Sequence, residues 1–165
     1  MKKRILRYLK EILLFIVVMT IFANALSWYK GQDLNKEKLP IISSKLINNK
    51  SYSLNKNKPI MVHIWATWCP TCKLEAANIQ RISQKYEVVT IAVKSGTDLD
   101  IKRYLDEHDL DFNVINDKNA EYARKFKIAV YPTTFIYDKD GNLVFSEVGY
   151  TSTIGLYLRM WWASL

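Results

Sequence analysis

Residues 59–73 read PIMVHIWATWCPTCK. Pro59 to Trp65 is a mostly apolar run of strand length, the pattern of a strand buried on both faces. A helical pattern opens at Pro70, with Leu74, Ala77, Ile79 and Ile82 spaced along it towards Tyr86. Proline fits the first helical position, where its missing N–H costs nothing. Between strand and helix lie the only two cysteines of the chain, Cys69 and Cys72. Cys69 falls at the helix N-terminal boundary, where unpaired N–H groups and the positive dipole end stabilise a thiolate. Cys72 follows one turn later, close enough to form a disulfide. That is the layout of a dithiol/disulfide exchange centre.

Rival readings of the pair are weaker. A zinc site needs a second cysteine pair or two histidines, and His63 and His108, the only histidines, lack ligand spacing to it. A purely structural disulfide across three residues removes almost no loop entropy. Two cysteines in 165 residues also exclude a disulfide-rich scaffold.

Working outward, Ile41–Ile47 and Tyr52–Leu54 flank Asn48-Asn49-Lys50 as a short hairpin. Val88–Val93 is a β-branched strand with two apolar faces, and Asp98–Glu107 a helix with Asp98 as its expected N-cap. Phe112–Ile115 is a short strand and Lys118–Phe126 a helix. Thr133–Tyr137 and Leu143–Val148 form a hairpin through Asp138-Lys139-Asp140-Gly141. Thr151 or Ser152 caps a last helix through Leu156, Leu158, Trp161 and Trp162, with the two tryptophans read as helix packing. The expectation is an α/β domain with a mixed central sheet covered by helices on both faces. His63 reads as a packed core histidine, and Lys73 as a surface lysine near the site.

The chain resembles the thioredoxin superfamily, and within it the exported, membrane-tethered TlpA/ResA-like branch. Ile64-Trp65-Ala66-Thr67-Trp68-Cys69-Pro70-Thr71-Cys72 and Val130-Tyr131-Pro132-Thr133-Thr134-Phe135 carry the resemblance, which covers Pro40 to Leu165. Gly149-Tyr150-Thr151-Ser152, Gly155-Leu156 and Leu158-Arg159 look most like the suppressor-of-copper-sensitivity protein D group of disulfide oxidoreductases. The resemblance implies a thioredoxin fold, no cofactor, and protein substrates with thiols or disulfides. It also implies a membrane redox partner that recharges the dithiol. Cys69 would be the exposed attacking thiol and Cys72 the buried resolving thiol. Pro132 matches the family's cis-proline, which sets the backbone of Tyr131 beside the disulfide for strand-like pairing with substrate. Trp68 would shield the sulfurs, or serve as a rim aromatic. Glu75, three residues after Cys72, matches an acidic residue that assists proton transfer, or is a solvated carboxylate favoured by the helix dipole. The glutamate that follows the cis-proline in haem-maturation relatives is missing, and so are the histidine and helical insertion of DsbA-type oxidants.

Net charge is +8, yet residues 1–30 hold six basic side chains against Glu11 alone, or +5 of it. The rest is weakly basic, and Lys outnumbers Arg 18 to 6 with no basic stripe, so nucleic acid is not an expected partner. From Ile12 to Tyr29 run 18 residues without a charge. As a helix they span about 27 Å, near the thickness of a bilayer core. Five preceding basic residues keep the N-terminus cytoplasmic, and Trp28 and Tyr29 sit where an interfacial belt belongs. Ala23-Asn24-Ala25 offers a signal-peptidase site, but the apolar run continues past it, which favours an uncleaved anchor. The expected organisation is a basic flank and transmembrane helix over 1–29, a polar tether over 30–39, and a thioredoxin-like domain over 40–165. The resemblance puts that domain on the periplasmic or extracytoplasmic side of a bacterial cytoplasmic membrane. Direction of exchange leans to reduction. The alternative function is a tethered module holding Cu(I) on the two thiolates.

Overall fold

The computed structural model describes residues 2–40, 42, 44–52 and 58–165. Helices are α1 (Lys2–Lys30), α2 (Pro70–Ser83), α3 (Asp98–Glu107), α4 (Glu121–Lys125) and α5 (Thr153–Ala163). Strands are β1 (Ser44–Lys45), β2 (Ser51–Tyr52), β3 (Ile60–Trp65), β4 (Glu87–Val93), β5 (Asn113–Asp117), β6 (Thr133–Tyr137) and β7 (Leu143–Val148). β1 and β2 pair as a small antiparallel hairpin. The others form one mixed sheet in the order β5-β4-β3-β6-β7. β3, β4 and β5 run parallel, β6 antiparallel to β3, and β7 antiparallel to β6.

The period of two in the strands builds two cores. Met61 and Trp65 of β3, Val88 and Ala92 of β4 and Ile136 of β6 face α2, α3 and α5. Their neighbours Ile60, Val62 and Ile64, Val89, Ile91 and Val93, and Phe135 and Tyr137 face the other way. There they meet α4, Leu46 and Tyr52. Every residue of β3 is buried, because β3 is the central strand with a layer on each side. His63 is among them. Its Nδ1 lies 2.9 Å from Thr134 Oγ1, and burial pushes its pKa down to about 3, so it is a neutral core side chain.

Most element boundaries agree with the sequence reading, and the departures have local causes. The N-cap of α3 is Thr97, not Asp98. Thr97 Oγ1 accepts from the Asp100 N–H at 3.2 Å while Asp100 Oδ2 accepts from the Thr97 N–H at 2.8 Å, a reciprocal box that Asp98 cannot form. Gly96 (φ +93°) lets the chain enter it, since a Cβ there would sit 2.9 Å from Asp100 Oδ2. The helix expected over 118–126 is shorter. Asp117, at the end of β5, accepts from the N–H groups of Glu121 and Ala123 and so fixes where α4 begins. In the first hairpin, Ile41, Ser43 and the expected strand end at Leu54 lie outside the described residues.

Two differences concern the surface. The segment 30–39, expected to be a polar tether, lies along the domain. Leu34 is buried in the α4-side core, the Asn35 N–H donates to Phe126 O at 3.2 Å, and the Leu39 N–H donates to Gly141 O at 2.9 Å. The segment's two apolar anchors, Leu34 and Leu39, stand five residues apart and match neither the helical nor the strand period, which is why the sequence reads as loose. Trp161 and Trp162 do not pack: α5 buries Leu156, Met160 and Ala163, and that spacing turns both tryptophans outward.

Residues Leu6–Lys30 of α1 make it long and apolar enough to cross a membrane, as an anchor or a signal sequence is. Leu156 and Met160 of α5 share one core with Ile79 and Ile82 of α2. Leu156→Ala is expected to lower the free energy of unfolding by about 2–5 kcal/mol in denaturant melts, the cost of a cavity under α5.

Candidate active site

The site sits where β3 ends and α2 begins. Cys69 is the N-cap of α2, with φ −89° and ψ 114°, and Pro70 occupies the first turn. The Cys72 N–H donates to Cys69 Sγ at 3.1 Å. A sulfur thus takes the role usually filled by a serine or aspartate oxygen, and the same N–H stabilises a thiolate there. The two cysteines are joined as a disulfide, with Cα atoms 5.2 Å apart. Cys69 is 5% exposed and Cys72 1%, so Cys69, expected to be the exposed thiol, is itself largely covered and only slightly more open than Cys72.

Trp68 and Tyr131 form the rim. Their rings meet edge to face with centroids 5.5 Å apart, and Trp68 Nε1 donates to Lys94 O at 3.2 Å. The Tyr131–Pro132 peptide bond is cis. The Pro132 carbonyl accepts from the Gly149 N–H at 2.8 Å, which ties the start of β6 to the end of β7. Among the described residues, neither the N–H nor the C=O of Tyr131 has a backbone partner. Beyond the aromatic pair lies a groove of about 520 Å³ whose walls include Lys94, Arg124, Lys127 and Ile128.

Glu75 lies one turn beyond Cys72 on α2 and is wholly buried. Its Oε1 accepts from the Thr151 N–H at 2.9 Å, while Oε2 has no hydrogen-bond partner among the described residues. Burial pushes its pKa up to about 8. The Thr151 hydrogen bond opposes that shift and the Glu147 charge adds to it. The solvated-carboxylate reading of Glu75 is therefore excluded. Asn78, a turn further on, donates to Thr151 O at 3.0 Å and accepts from Thr153 Oγ1 at 2.7 Å. The sequence marks Thr151 only as a candidate helix cap and does not mark Asn78, and neither reads as part of the site, since 76 and 73 residues separate the bonded pairs. The structure thus brings Cys69, Cys72, Glu75, Trp68, Tyr131 and Pro132 to one end of the sheet, with Thr151 as an added backbone donor. Lys73 is exposed beside them.

A strand–CxxC–helix unit with a cis-proline on the adjoining strand defines a thioredoxin-like thiol–disulfide oxidoreductase. The chain belongs to the redoxin family, whose model matches residues 34–155. It is 31% identical over 163 residues to a thioredoxin-like protein of Haemophilus influenzae, covering 98% of this chain and 96% of that one. It is 29% identical over 153 residues to the thiol-disulfide oxidoreductase ResA of Bacillus thuringiensis, with 82% and 87% covered. The crystal structure of StoA from Bacillus subtilis has the same fold, with a TM-score of 0.65 and 21% identity over 73% of this chain and 96% of that one. The CxxC pair is thus that of a thiol–disulfide oxidoreductase of the TlpA/ResA-like group.

The buried carboxyl gives a signed stability prediction. With a folded pKa of about 8 against an ordinary 4.5, the native state keeps a proton that the unfolded chain loses between those values. Stability from this group is full below pH 4.5 and falls as pH rises towards 8. Glu75→Gln is expected to flatten that decline and to leave the variant on the order of a few kcal/mol more stable than the parent at pH 9. Urea melts across pH 4–9 check it.

Proposed function

We propose that this chain is an exported, membrane-anchored oxidoreductase that reduces disulfides in protein substrates. The supporting observation is the Cys69–Cys72–Glu75 line along the first turns of α2: an N-capping sulfur, a buried sulfur and a buried carboxyl with one vacant oxygen. The Cys69 thiolate attacks one sulfur of a substrate disulfide. A mixed disulfide forms and the other substrate sulfur leaves as a thiolate. Glu75 in its carboxylate form takes the proton of the Cys72 thiol. The Cys72 thiolate then attacks Cys69 Sγ, closing the disulfide and releasing the second substrate sulfur. Two electrons pass from the dithiol to the substrate, and a membrane redox partner returns them. Tyr131 offers its N–H and C=O to an extended substrate segment, with Trp68 and Pro132 framing the sulfurs.

In this reading residues 1–29 form the cytoplasmic flank and retained anchor, 30–39 link it to the domain, and 40–165 act outside the cytoplasm. The closing stretch from Gly149 to Arg159 supports placing the chain with the suppressor-of-copper-sensitivity protein D group.

Cys72→Ser should accumulate mixed disulfides on Cys69, visible on non-reducing gels and identifiable by mass spectrometry. Absence of trapped species while the parent still reduces insulin would overturn the assigned order of attack. In cells the parent should be found mostly reduced, and a fully oxidised pool would overturn the reducing direction. Glu75→Gln should slow resolution by roughly ten- to hundredfold near pH 8 and remove the corresponding limb of the pH profile.

A further inference from the structure

The outer face of α5 is anomalous for a soluble surface. Ile154, Leu158, Trp161, Trp162 and Leu165 are 54–83% exposed. At 100° per residue these positions fall within an arc of about 100°, a single stripe down the helix and its C-terminal end. Nothing charged interrupts it. Arg159 is the only charged residue of α5, and it is turned aside, with Nε 2.7 Å from Glu147 Oε1. Scattered exposed apolar residues need no explanation, but a continuous stripe with two tryptophans does.

The path of α1 says what lies over it. Leu34 belongs to the core on the α4 side of the sheet. Ser27 sits on the edge strand, where its Oγ accepts from the Val148 N–H at 2.8 Å and donates to Glu147 Oε2 at 3.1 Å. Asn24 Oδ1 accepts from Arg159 Nη2 at 3.0 Å, and Arg159 belongs to α5 on the opposite side. Followed towards the N-terminus, the chain therefore rounds the β7 edge and leaves on the α5 side. These contacts fall inside the uncharged run. Asn24 is only about 8 Å of helix before Tyr29, so the domain is held against the lipid surface and not on a long leash.

We propose that the outer stripe of α5 is a second membrane contact, seated at the headgroup–acyl boundary next to α1. Tryptophan favours that depth, where its ring is buried and its N–H stays near water. The core replaces the cationic face that such helices usually carry. This rests on α1 being a retained anchor.

The test uses the full chain in phosphatidylcholine–phosphatidylglycerol vesicles, with bromine carried on the upper acyl chain as a tryptophan quencher. Trp28 reports on the anchor, Trp161 and Trp162 on α5. Trp28→Phe should remain quenched, and the double variant Trp161→Phe/Trp162→Phe should lose roughly half of the parent's quenching. Leu158→Glu should remove the same share while insulin reduction in detergent is unchanged. Quenching that Trp28→Phe abolishes and the double variant leaves intact overturns the α5 contact but not the anchor. No quenching in any form overturns both. Detergent-soluble dimers that Leu158→Glu dissociates, with no bromine effect on α5, overturn it in favour of a second copy.

Discussion

The N-terminus of α2 is the constraint on which the rest depends. A helix must satisfy its first N–H groups, and here one of them is given to Cys69 Sγ. That choice fixes where Cys69 stands, keeps Cys72 one turn behind it, and supplies the positive environment a thiolate needs. The end of β3 delivers the chain to this point. β3 can be the fully buried central strand only because apolar residues on both its faces meet two separate cores. The chemistry is thus a consequence of how the central strand ends.

A second tie runs through the buried Glu75. Its hydrogen bond from the Thr151 N–H joins α2 to the link between β7 and α5. Asn78 repeats the connection one turn on, through Thr151 O and Thr153 Oγ1. The Pro132 carbonyl and the Gly149 N–H close the circuit from β6 to β7. The helix that carries the two sulfurs and the carboxyl is therefore tied, through side-chain and backbone hydrogen bonds, to the segment that follows β7, and that segment is tied in turn to the cis-proline.

The legible part of this design was local. The CxxC pair with Pro70, the alternating strands and the Asp140-Gly141 hairpin each declare themselves within a few residues. Pro132 was legible only through resemblance, because most X–Pro bonds are trans. What stayed hidden was set by distant partners. Whether Glu75 is solvated or buried depends on a segment 76 residues away. Leu34 reads as part of a polar linker because it and Leu39, five residues apart, follow neither the helical nor the strand period. Trp161 and Trp162 read as core because hydrophobicity alone does not tell the inner stripe of α5 from the outer one.

Burying Glu75 with Oε2 unpartnered is costly, and the fold offers cheaper occupants: an apolar or amide side chain would fit the same helix face. Structures break such local rules mainly where function requires it. The carboxyl lies one turn from the Cys72 sulfur, which in the proposed mechanism loses its proton inside the protein, where water cannot readily accept it. A group whose proton affinity has been raised towards that of a thiol is matched to that transfer in a way that a surface carboxylate is not. In the proposed mechanism the same burial that destabilises the ionised form would tune it for exchange, so that the stability cost and the chemistry would share one physical cause.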